Sequence, residues 1–106
     1  MRDNQQSNEP SPRASVPRDW VAFGRRWPEG PLVAGAPVEV EYSRAIAALV
    51  RFECARRGWS LKRLAHRAGL PVAAVKDVLD GQVLPDFQLL VAVEVALDVS
   101  LWPRGP

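Results

Sequence analysis

The stretch Ser60-Leu-Lys-Arg-Leu-Ala-His-Arg-Ala-Gly-Leu-Pro-Val-Ala-Ala-Val-Lys-Asp-Val-Leu-Asp80 decides how this chain is read. It predicts two short helices joined by a tight turn. Ser60 is suited to the N-cap of the first, because its hydroxyl can accept from an amide that has no partner inside the helix. Leu64, Ala65 and Ala68 recur at three- and four-residue spacing and form one apolar stripe. Gly69 stands where the chain must turn away, and glycine takes positive φ without steric penalty. Pro71 fits the first turn of the second helix, where its missing N–H costs nothing. Val75, Val78 and Leu79 give that helix its own apolar face. Helices this short do not persist alone and must dock on a larger body.

Leu64-Ala65, Gly69-Leu70, Val75, Val78, Gly81 and Pro85, in that order, resemble the helix-turn-helix of the Cro/repressor (XRE-type) family over roughly residues 42–99. The resemblance implies an all-α, lambda-repressor-like bundle of about five short helices. It also implies that the second motif helix lies in the DNA major groove. Carried over position by position, Val72, Ala73, Lys76 and Asp77 would face base edges. Val72 and Ala73 offer only methyl contacts, Lys76 can donate to guanine or to a phosphate, and Asp77 can accept from cytosine. Ser60, Lys62 and Arg63 would hold the phosphate backbone, with Gln82 as a further phosphate contact. Three positions depart from the family pattern. Leu61 stands where a glutamine is common, Val72-Ala73-Ala74 is unusually apolar, and Glu53 takes a place usually given to leucine.

The 106 residues allow one small domain and a tail. A single cysteine, Cys54, excludes an internal disulfide and fits a reducing compartment. No apolar run approaches a membrane span and the polar N-terminus does not read as a signal peptide, so a cytoplasmic protein is expected. Abundant arginine, alanine, valine and proline suggest a GC-rich bacterial genome. Net charge is only +2, but residues 44–67 carry Arg44, Arg51, Arg56, Arg57, Lys62, Arg63 and Arg67 against Glu53 alone. Such a concentration suits the phosphate attraction that dominates DNA affinity, although charge runs are also ordinary solvated helix faces.

Residues 1–19 are polar and proline-punctuated, which predicts a disordered tail. Residues 20–41 form an aromatic segment and a Pro/Gly linker. In it Trp20, Phe23 and Trp27 fall on one face of a short helix or turn, either as a lid on the domain or as anchors for a partner. Val38-Glu-Val-Glu-Tyr42 alternates, as an edge strand or an early helical turn would. Residues 42–102 form the domain. Ala45, Ile46, Leu49 and Phe52 predict a first helix from about Ser43 to Arg57, closed by Gly58, with Trp59 behind the turn. Glu53 would pair with Arg57 at the exposed surface, or the helix would rotate so that Phe52 fills the core. Asp86 should cap a last helix, Phe87 to Leu97, which is apolar nearly all round. A homodimer contact through Val91, Val95 and Trp102 follows, unless the Trp20–Trp27 segment covers that helix.

Nothing in the chain reads as catalytic. His66 is alone and exposed by pattern, Cys54 has no His or CxxC neighbour, and no glycine-rich phosphate loop occurs. No cofactor or metal is expected. The functional expectation is a DNA-binding transcriptional regulator, repressor-like and dimeric. The rival is a protein-binding or antitoxin-like module that uses the same fold.

Overall fold

A computed structural model describes residues 16–101. It is all-α: α1 spans Val38–Arg57, α2 Leu61–Ala68, α3 Val72–Leu79 and α4 Phe87–Leu97. The fifth helix of the expected bundle is absent among the described residues, where one 3-10 turn, Pro17–Trp20, stands beside the four α-helices. Residues 1–15 of the expected tail lie outside the described residues, but Pro17 to Asp19 are ordered in that turn.

The ambiguous Val38–Tyr42 run is helical, so α1 starts about five residues before the expected point. Pro37 precedes its first turn, and Glu39 and Glu41 lie at the positive end of the helix dipole. The buried positions are Val40, Ser43, Ala47, Val50 and Cys54, spaced three and four apart, with Ile46 and Glu53 at the flanks. This face is rotated from the one expected: Phe52 is 60% exposed, while Ala45 and Leu49 are half-buried. Small side chains at Ala47 and Cys54 let α1 lie close against its neighbours, and a phenylalanine in the same line would hold it off.

The rotation carries Glu53 inward, and it is satisfied there rather than at the surface. Its carboxylate takes Arg56 Nη2 at 2.7 Å and pairs with Arg57 Nη1. Arg57 also donates to the Leu97 carbonyl at 2.6 Å, which ties the end of α1 to the end of α4. The hydrogen bonds from Arg56 and then Arg57 hold the Glu53 carboxyl below its ordinary range.

Leu64, Ala65, Val75, Val78, Leu79, Leu89, Leu90, Val93, Leu97 and Leu101 complete one core with Ile46, Ala47 and Val50. Asp86 caps α4 as expected, accepting from Leu89 N at 2.7 Å. The chain after α4 returns over it, and Leu101 N donates to the Glu94 carboxylate at 2.7 Å.

Residues 16–37 form an irregular strap rather than a free linker. Val21 and Leu32 make an isolated antiparallel bridge, and Arg44 of α1 donates to the Pro28 carbonyl at 3.2 Å. Trp20 is buried, yet Phe23 is fully exposed. The three aromatics therefore do not share one face, because the chain reverses at Gly24, which has positive φ. The strap folds back onto α1 and the end of α3. On α4, Val91 and Val95 stay 38% and 75% exposed; Trp102 lies outside the described residues.

Candidate nucleic-acid interface

The α2–α3 corner is built from local rules. Ser60 Oγ accepts from Arg63 N at 3.1 Å and so closes the start of α2. Gly69 adopts φ 70°, and Leu70 N reaches back to the Ala65 carbonyl at 2.9 Å, closing the end of α2. Pro71 occupies the N-cap of α3, one place earlier than expected, since its ψ of 139° is still extended. Leu64 and Ala65 are fully buried and Val75, Val78 and Leu79 nearly so. Val72, Ala73, Lys76 and Asp77 accordingly lie on the outward side of α3.

The basic run between 44 and 67 divides sharply once partners are assigned. Arg44 pairs with Glu41, Arg51 with Asp80, and Arg56 and Arg57 with Glu53. Lys62, Arg63 and Arg67 have no carboxylate within 4.0 Å among the described residues, and all three are on α2. With Ser60 and His66 they line a shallow open depression that contains no acidic side chain. Trp59 lies behind them, half-buried. The guanidinium of Arg67 sits 4.9 Å from its ring centroid, with Arg57 and Arg63 at 5.7 and 5.9 Å. Stacking on the indole limits the freedom of Arg63 and Arg67 while leaving their charge outward.

Lys76 is less free than its position on α3 implies. Its ammonium meets Asp80 Oδ2 at 2.6 Å, and Asp80 Oδ1 meets Arg51 Nη2 at 2.9 Å. The hydrogen bond from Lys76 is the main cause of an Asp80 carboxyl held below its ordinary value. To reach a base edge, Lys76 must leave Asp80, which then keeps Arg51. The i,i+4 spacing of Lys76 and Asp80 was legible in the sequence; the arginine from α1 was not.

Gln82 is half-buried beyond the end of α3. With its amide oxygen turned to Arg18, it accepts from Nη1 and Nη2 at 3.3 and 3.1 Å. Here the strap grips the loop. Arg18 N donates to the Gly81 carbonyl at 2.8 Å, and Trp27 Nε1 to the Leu79 carbonyl at 3.0 Å. Gly81 has φ 74°, and a Cβ there would lie 2.7 Å from the Trp27 ring. Arg51 reaches the same Leu79 carbonyl at 3.0 Å. Sequence reasoning missed Arg18, and it counted Arg51 with the basic run without seeing that it is engaged here. Gly81 and Trp27 were visible, but nothing local pairs residues that far apart.

His66 is exposed on α2. Cys54 is buried, and desolvation is the main reason its thiol is pushed up, away from the reactive thiolate form. Among the described residues, no group of three or more His, Cys, Asp or Glu side chains is placed to hold a metal ion, and no helix is long and apolar enough to cross a membrane. In comparisons with family models, curated proteins and solved structures, the chain has no match.

Proposed function

We propose that this chain is a sequence-specific DNA-binding transcriptional regulator, repressor-like, built on a lambda-repressor-type helix-turn-helix at residues 60–80. One observation carries the reading. Of seven basic residues between 44 and 67, the three without a carboxylate partner among the described residues all sit on α2, the helix that leads through the Gly69 corner into α3. Lys62, Arg63 and Arg67 would neutralise phosphates, and α3 would enter the groove. Its apolar outer residues Val72 and Ala73 suit thymine methyls, so base discrimination falls mainly to Lys76 and Asp77 and to DNA shape. The exposed Val91 and Val95 of α4 suit a homodimer. Two recognition helices about 34 Å apart would then read a near-palindromic site.

Mobility shift of a random duplex at stepped salt tests the reading. Three phosphate contacts per protomer correspond to a slope of about −2.7 in log affinity against log salt for each protomer bound, or about a 40-fold loss per protomer between 50 and 200 mM. Lys62→Ala should weaken all duplexes alike and flatten that slope, and Lys76→Ala should mainly lower discrimination between sequences. Binding that ignores salt, or no binding at 50 mM, overturns the reading. The Lys76–Asp80 pair and the apolar Val72-Ala73 surface favour the rival, a protein-binding or antitoxin-like module. A pure protein-binding module would show no duplex shift at either salt, whereas an antitoxin-like one would bind both DNA and a protein partner.

A further inference from the structure

We propose that Arg18, on the strap ahead of α1, is a phosphate-backbone contact at the far end of α3 from the α2 cluster. This rests on the DNA-binding reading. Arg44, Arg51, Arg56 and Arg57 are each spent on a carboxylate within the fold. Arg18 is exposed and has no carboxylate within 4.0 Å among the described residues; the neutral Gln82 amide is the hydrogen-bond partner its guanidinium has there. A guanidinium carries five donors, and one amide oxygen accepts at most two. The remaining donors, and the charge they share, leave Arg18 able to bind an anion beside Gly81 and Gln82.

What holds Arg18 there does not depend on its side chain. Its backbone N–H donates to the Gly81 carbonyl. The same strap is seated by Trp27, whose indole bonds to the Leu79 carbonyl and whose ring packs on Gly81. Arg18 is thus fixed to the loop that ends α3, and any anion that Gln82 reaches lies within reach of Arg18. A preplaced arginine loses less freedom on binding than one on a loose arm. The surface would therefore grip the duplex backbone at both ends of α3, from α2 on one side and from the strap on the other.

The test uses the full chain with Arg18→Gln and Arg18→Lys, and a random 20-base-pair duplex titrated from 50 to 200 mM salt. Both variants retain the backbone bond to Gly81, and matching melting curves check the fold. Loss of one phosphate contact makes the salt slope shallower by about 0.9 per protomer bound, so the fourfold salt rise weakens Arg18→Gln about 3.5-fold less per protomer than the parent. Arg18→Lys should keep the parent slope. If the parent binds with a steep slope and Arg18→Gln matches it, Arg18 is no contact, and the α2 reading stands. An equal loss in Arg18→Lys and Arg18→Gln also overturns the contact, since a positive charge alone should restore it. If the parent shows no salt-dependent binding, the reading and this inference fall together.

Discussion

Substituting Gly81→Ala measures how firmly the strap is seated on the end of α3. Two costs add at this position. The φ of 74° is left-handed, which costs a residue with a Cβ about 1–2 kcal/mol. The new methyl would also lie 2.7 Å from the Trp27 ring and 2.8 Å from Arg18 Cβ, so the indole or the strap must move. Overpacking of this kind costs about 1–3 kcal/mol. Gly58 is the internal control: its φ is 69°, but a Cβ there meets nothing within 4 Å. Gly58→Ala thus bears the backbone cost alone, and the difference between the two variants isolates the strap. In urea unfolding, with a slope of about 1–2 kcal/mol per molar for a domain this small, the midpoint of Gly81→Ala should lie about 0.5–3 M below that of Gly58→Ala. Equal midpoints would mean that Trp27 does not rest on this loop and would remove the structural basis for placing Arg18 beside Gln82.

Acid should act through Glu53 and Asp80. Both carboxyls are held below their ordinary range in the folded chain, so each adds stability at neutral pH that disappears as pH falls through its folded value. Stability should therefore decline below about pH 4.5, the ordinary glutamate value, and Glu53→Gln should show a shallower decline in urea midpoint against pH; an unchanged profile would contradict the pairing with Arg56 and Arg57. Asp80→Asn removes the charge that holds Lys76 and Arg51. A random duplex should then bind more tightly, with a salt slope steeper by up to about 0.9 for each cation released; a slope equal to the parent's would show that neither cation meets phosphate. At tens of micromolar the parent should sediment as a dimer and Val95→Asp as a monomer, whereas a monomeric parent removes α4 as the contact.

Much of the α2–α3 corner was legible because its instructions act within four residues. The Ser60 and Asp86 caps, the Gly69 corner and the bounds of α4 each depend on a side chain or a φ angle and the amides beside it. The outward placement of Val72, Ala73, Lys76 and Asp77 follows from helical spacing once Val75, Val78 and Leu79 are apolar.

Packing between distant segments settled the rest. Period alone chose Phe52 for the α1 core, but close approach favoured Ala47 and Cys54, and the rotation that brought them inward also buried Glu53 between two arginines. The bond from Trp27 to Leu79 spans 52 residues, that from Arg57 to Leu97 spans 40, and that from Arg51 to Leu79 spans 28. Such pairs form only when whole surfaces meet, so a reading of neighbouring residues counts every arginine as available. The fold shows which are already engaged, and among the described residues of the basic run it leaves only those of α2 without a carboxylate, because no acidic side chain comes within 4.0 Å of them.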